Sequence, residues 1–238
     1  MSARLLTPKK SKKSGIEKPV HMPPRFNLRR FYTPKDVAAH NTANDCWVSF
    51  YYEVYDLTKL IQKNYNALVE PIIKAAGTDI SHWFNPKTKE PITMMGPSCT
   101  IEYYTPLGRY LHLPPLEPDS TWINNFKTPW WRNKKYSIGK LTKKVRKIRI
   151  INMISKQDDI IEVCSEETIN EILDRYLVIN SHAASYTWKR LGKPLDMERT
   201  LTDNNIPDES EEFAELNIDE DEYIPAIHLY YNDDLTVA

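Results

Sequence analysis

Glycine is scarce in this sequence, with 6 among 238 residues. Loops that cradle phosphates or dinucleotides depend on glycine to bring backbone N–H groups close to the anion. No P-loop, Gly-x-Gly-x-x-Gly, Gly-x-Ser-x-Gly or His-Glu-x-x-His is present, so nothing marks a hydrolase, a transferase or a dinucleotide enzyme. The expectation is a protein that is not an enzyme. Cysteine is scarce too. Cys46, Cys99 and Cys164 are far apart, odd in number and without a Cys-x-x-Cys pair, which argues against a disulfide framework and a structural zinc site. No stretch approaches the roughly 18 apolar residues of a membrane span, and the lysine-bearing N-terminus lacks the apolar core of a signal peptide. A reducing, cytoplasmic setting without membrane contact is expected.

Charge is balanced in sum, 32 basic against 32 acidic residues, and segregated in position. Met1 to Arg30 holds nine basic residues against Glu17, and Lys127 to Arg149 holds ten with no acid. Asp196 to Asp234 holds 14 acids against Arg199 alone. Such runs are either solvated faces or docking surfaces for charged partners. Nucleic acid is not expected, because "NKKYSIGKLTKKVRKIR" interleaves its charges with Tyr136, Ile138, Leu141 and Val145 and carries no groove-reading motif.

The length allows two domains. Residues 1–25 combine lysines and prolines with little apolar surface and read as a basic, disordered arm. Thr33, Pro34 and Asp36 predict a capped helix, and "CWVSF" and "EVYDL" read as strands. In "ALVEPIIKAAGTD" Leu68, Ile72, Ile73 and Ala76 fall at helical spacing, with Pro71 in the first turn and Gly77 closing the helix. "IEYYTPLGRYLHL" predicts a hairpin around Thr105–Gly108. The first domain then spans 26–118 with a proline-rich extension, and an aromatic, basic linker spans 119–146. The second domain, 147–238, reads strand, strand, helix, strand and a last strand, with Ile169, Ile172, Leu173, Tyr176 and Leu177 forming one apolar stripe and Ser165 as N-cap. The three tryptophans of "STWINNFKTPWW" suit a core or an interdomain seam. As a partner surface, Lys9, Lys10, Lys12, Lys13, Trp130, Trp131, Arg132, Lys134 and Lys135 are the candidates. His40, His112, His182 and His228 are scattered and read as structural.

Two resemblances attach to these segments. "DIIEVCSEETI", "LGKPLD" and "TLTDNNI", in that order, resemble ubiquitin, implying a β-grasp over about 147–234. The closing "NDDLTVA" lacks the glycine pair of a conjugated modifier, so an interaction module is expected. "YTPKDVAAHNTANDCWVSFYYEVYDLTKLI" resembles the opening of the cytochrome b5 family, so the fold class expected is α+β, a b5-like domain followed by a ubiquitin-like one. That family holds haem b between two histidines. An ungapped alignment sets Tyr65 where the first stands, in the family's His-Pro-Gly-Gly, and Asn66, Ala67 and Leu68 replace the rest. The second position falls near Lys89, and the nearest histidine is His82. Tyrosine can ligate ferric haem as phenolate, which makes Tyr65 and His82 the candidate iron ligands and His112 the next. Taken together, the two halves resemble a two-domain b5 family associated with motile cilia. That resemblance implies a non-enzymatic structural or regulatory part of the axoneme, near radial spokes, with spoke subunits and acidic tubulin as partners. A haem-based redox sensor or electron carrier is the alternative.

Overall fold

The computed structural model describes residues 30–95, 102–116, 122 and 125–231. The expected arm, with Lys9, Lys10, Lys12 and Lys13, lies outside them.

The first domain opens with β1 (Phe31–Tyr32) and α1 (Pro34–Ala39). Helix α1 starts where the sequence predicts, through a capping box. The Asp36 amide donates to the Thr33 hydroxyl at 3.0 Å, and the Thr33 amide donates to the Asp36 carboxylate at 2.9 Å. Strands β2 (Asn41–Thr42), β3 (Asp45–Phe50) and β4 (Glu53–Asp56) run antiparallel. Helix α2 (Thr58–Lys63) follows, then a 3-10 turn at Ala67–Val69 that leads into α3 (Glu70–Lys74), with Pro71 in its first turn as expected. Gly77 adopts φ +80°. Its amide reaches the Trp47 carbonyl at 2.7 Å, and an added Cβ would meet Asn41 Cβ at 2.9 Å.

Two expectations are corrected here. The Thr105–Gly108 turn forms, with the Gly108 amide donating to the Thr105 carbonyl at 2.9 Å, but no hairpin surrounds it. β6 (Glu102–Tyr103) pairs instead with β5 (Met94–Met95), because Tyr110, Leu111 and Leu113 beyond the turn are drawn into the core. The segment 119–146 is also more than a linker. It contains β7 (Ser137–Leu141), which inserts between β1 and β4 to complete a five-stranded sheet in the order β1-β7-β4-β3-β2. At Gly139 a Cβ would stand 2.7 Å from the Tyr32 ring and 2.8 Å from the Arg30 carbonyl, so glycine is what lets β7 lie against β1. Only residues 142–144 connect the two halves.

The second half holds β8 (Val145–Asn152), β9 (Asp158–Cys164), α4 (Ile169–Tyr176), β10 (Tyr186–Arg190), β11 (Lys193–Pro194), α5 (Ser210–Glu215) and β12 (Ala226–Tyr231). Its sheet order is β11-β10-β12-β8-β9, with β12 parallel to β8 and the other pairs antiparallel. The apolar stripe of α4 packs on Ile148, Ile150, Trp188, Ile227 and Leu229. The N-cap is Thr168 rather than Ser165. Glu171 stands three residues after Thr168 and completes a second capping box, whereas the Ser165 hydroxyl is turned to the Lys144 carbonyl at 3.0 Å.

Each capping-box carboxylate also reaches across to the other half. Arg30 grips Glu171 with two bonds, 2.8 and 3.0 Å. Arg175 grips Asp36 at 2.7 and 2.9 Å while its Nε donates to Glu167 at 2.8 and 2.9 Å. The Arg175 and Glu167 side chains are 8% and 1% exposed. Burial alone would raise the Asp36 carboxyl, but the Thr33 amide and Arg175 hold it below its ordinary 3.8. Glu171 is likewise held below 4.5 by Arg30 and Thr168 against its burial. Both depressed groups contribute stability that is complete above those ordinary values and is lost as pH falls through the lower folded ones. Urea denaturation should therefore show stability falling on acidification below about pH 4. At neutral pH, Arg175→Met should cost about 3–5 kcal/mol, because Glu167 is left buried without a counter-charge. Arg30→Met should cost less, about 1–3 kcal/mol, because the arginine is 62% exposed while Glu171 is 3% exposed and keeps its Thr168 partners.

Candidate functional site

The frame that would carry a cofactor is the space bounded by α2, α3 and the 3-10 turn at Ser81–Trp83. Residues of these elements share one buried core with a set of aromatic rings. Phe50 stacks on Tyr55 at 4.6 Å and on Phe84 at 4.7 Å between centroids, and Trp83 stacks on Tyr110 at 5.0 Å. Trp130 meets Phe50, Tyr55 and Phe84 edge-on, and Trp131 lies 5.7 Å from Trp130. This corrects the assignment of Trp130 and Trp131 to a partner surface. They are 0% and 6% exposed, because the chain running into β7 brings them under the sheet. The neighbouring Arg132, Lys134 and Lys135 are exposed, and Arg132 donates to Glu90 at 2.6 Å.

Tyr65 follows α2 and is 82% exposed. Asn66 caps the turn after it, accepting the Leu68 amide at 2.9 Å, and Leu68 packs on the core. His82 is exposed in its 3-10 turn, with an edge contact to Trp83. Lys89 places its ammonium over the Tyr51 ring at 5.8 Å. His112 is held at φ +72°, stacked on Phe126 at 4.2 Å. Its Nδ1 accepts the Trp130 amide at 3.0 Å, so the ring is neutral there and carries its proton on Nε2. Burial lowers its pKa from 6.5. Between His82 and His112 runs a chain of rings, Trp83, Tyr110 and Trp130, so the intervening volume belongs to side chains. His40 is engaged elsewhere, stacked on Trp47 and bonded to Asp45 at 2.7 Å.

The donors left in this core do not suit iron. Tyr110 Oη, Trp130 Nε1 and Trp131 Nε1 are buried without an acceptor. An indole N–H donates only, and burial pushes the Tyr110 phenol up, away from phenolate. The Cys46 thiol is buried and pushed up to about 12 by that burial and by Asp56 and Asp45, so it stays protonated. Among the described residues no group of three or more His, Cys, Asp or Glu could hold a metal ion, and no helix is long and apolar enough to cross a membrane.

The sequence comparisons agree with the corrected boundary. The family model described as a cytochrome b5-like heme/steroid binding domain matches residues 33–141, closing on the last residue of β7. The first half is therefore a cytochrome b5 domain. Cytochrome b5 domain-containing protein 1 of Xenopus laevis is 54% identical over 209 residues, covering 87% of this chain and 96% of that protein. The Homo sapiens protein of the same name is 51% identical over 210 residues, covering 87% and 92%. The chain belongs to the family of cytochrome b5 domain-containing protein 1. The relatives' names denote no enzyme. A solved cytochrome b558 from Ectothiorhodospira vacuolata aligns over 26% of this chain and 76% of its own at 25% identity and a TM-score of 0.22, an overlap that carries no argument.

What the sequence reading passed over is the seam of Asp36, Arg175 and Glu167. Asp36 was legible as a cap and Arg175 as a helix residue, but only the fold brings them together. For His112 the sign of the pH effect is fixed. Its depressed pKa adds stability that is complete above 6.5 and is lost as pH falls through the folded value. The tryptophan near-UV circular dichroism should therefore weaken as pH falls through that lowered value in the native chain and show no such step in His112→Gln.

Proposed function

We propose that this chain is a non-enzymatic scaffold of the motile-cilium axoneme, placed near radial spokes, in which the b5 domain serves as a packed structural unit. The observation that carries this reading is the aromatic filling of the b5 frame, with Tyr65 turned to solvent. The second half is read as a ubiquitin-like β-grasp that works as an interaction module. Support for it comes from a mixed sheet with its first and last strands parallel at the centre and one amphipathic helix across a face. The ciliary setting rests on the resemblance of the two-domain combination. Radial-spoke subunits and tubulin are the proposed partners, and exposed Lys134 and Lys135 are the contacts within the described residues. Contacts of that kind weaken as the Debye length shortens from about 10 Å at 0.1 M salt to about 3 Å at 1 M. Extraction of the protein from isolated axonemes should rise steeply across that range. Release that ignores ionic strength would remove the electrostatic part of the reading.

Haem is the cofactor that the matched family names, and it defines the second reading, a redox sensor or electron carrier. The residues present do not fit a bis-ligated haem of the b5 type, since Tyr65 and His82 both face solvent and rings fill the space between His82 and His112. Purified protein reconstituted with haem and desalted should show no Soret band of a six-coordinate site. A retained band that shifts in both Tyr65→Phe and His82→Ala would establish haem ligation and overturn the scaffold reading.

A further inference from the structure

The core face of the second sheet carries charge where its pattern calls for apolar side chains. Alternation along β8 sets Arg146 in one row with Ile148, Ile150 and Asn152, and Arg146 is 7% exposed. On β10, Arg190 shares a face with Trp188. The segment from Ile206 to Pro225 closes over this end of the sheet, and the Arg146 Nη2 anchors it, donating to the Ile206 and Pro207 carbonyls at 3.0 and 2.5 Å. The remaining Nη1 of Arg146 and the Nη1 of Arg190 are buried with no acceptor. The two guanidiniums stand close enough to repel, adding to burial in lowering the Arg146 pKa.

Both line a cavity of about 210 Å³ whose other walls include Lys144, Asp208, Phe213 and Tyr223. The carboxylates around it are mostly engaged. Asp208 pairs with Lys144 at 2.7 Å, Lys147 with Asp221 at 2.5 Å, and Glu162 with Lys35 at 3.4 Å. Asp208 and Glu209 act on Arg146 across the cavity, yet among the described residues neither Nη1 has an acceptor. A buried N–H without an acceptor is costly, and an anion in the cavity supplies one to each arginine. Single Nη1 donors arriving from two separate strands suit a tetrahedral anion with acceptors in several directions better than a planar carboxylate, whose two oxygens lie in one plane. We infer that this cavity binds a phosphate monoester, with Arg146 and Arg190 as donors and the rings of Phe213 and Tyr223 beside its organic part.

Phenyl phosphate titrated into the full-length ¹⁵N-labelled chain, at ionic strength held constant with chloride, tests this. The arginine Nε–Hε resonances should move saturably, and Arg190→Gln, which removes a residue that anchors no loop, should weaken binding about tenfold or more. Arg146→Lys, keeping the charge and losing the cavity-facing Nη1, should do the same if it folds, and Arg190→Gln decides if it does not. Benzoate should bind more weakly than phenyl phosphate. Shifts that never saturate, undiminished affinity in Arg190→Gln, or benzoate binding as tightly as phenyl phosphate would each overturn the assignment.

Discussion

Arg175 holds one guanidinium between two carboxylates from different halves of the chain, and much of the architecture follows from satisfying that charge. A buried arginine is tolerated only when its donors are met and its charge is opposed. Glu167 does this from within the second domain, and Asp36 does it from the first turn of α1. Asp36 can reach only because the capping box has already fixed its rotamer toward the Thr33 amide. The second box repeats the device, with Glu171 serving α4 and Arg30 together. Two local helix-start signals thereby become contacts between domains, and both helices point their positive N-terminal ends at the seam. Carboxylates there answer the two helix dipoles as well as the two arginines.

The segregated charge of the sequence finds part of its answer inside the molecule. The basic run ending in β8 and the acidic run before β12 would suggest opposite faces for opposite partners. Folding brings them together, since the acidic segment returns over β8, where Asp208 meets Lys144 and Asp221 meets Lys147. These pairs are partly exposed and add little stability individually. Their effect is on placement, because they lay the return segment along the strand where Arg146 holds its backbone. Among the described residues Lys134 and Lys135, upstream of β7, have no such acidic cover, and both are exposed.

Legibility in the sequence tracked how local each cause was. The α1 cap, β3, β4, the Pro71 helix start and the α4 stripe are set by neighbours within a few residues, and each lies where the pattern predicts it. Most of the failures share a non-local cause. β7 looked like linker because "SIGKL" is short, glycine-bearing and adjacent to lysines, and its strand character comes from β1 and β4, about a hundred residues earlier. Ser165 looked like the cap although Thr168 and Glu171, three residues apart, already spell a capping box, so this miss was of a local signal. The hairpin after Thr105 failed since the residues beyond the turn gain more from burial in the aromatic core than from a ladder. Arg146 and Arg190 passed unnoticed because a basic residue in a basic run carries no signal until the strand's facing is known.

The family model runs to the last residue of β7, so this strand is part of the b5 domain, and the chain leading into it contributes to the aromatic core. A strand between β1 and β4 must be approached from below the sheet, and the residues of that approach are Pro129, Trp130 and Trp131 followed by a 3-10 turn. Large aromatic side chains bury about 150–250 Å² each, so Trp130, Trp131 and Tyr110 together supply apolar area on the scale of a flat prosthetic group. Exchanging the family's glycine pair for Ala67 and Leu68 fits the same end. Leu68 packs on the cluster, and the close backbone approach that glycine permits is no longer needed. On this reading the cost of an empty cradle, lost dispersion contacts and exposed apolar walls, is avoided from within the chain.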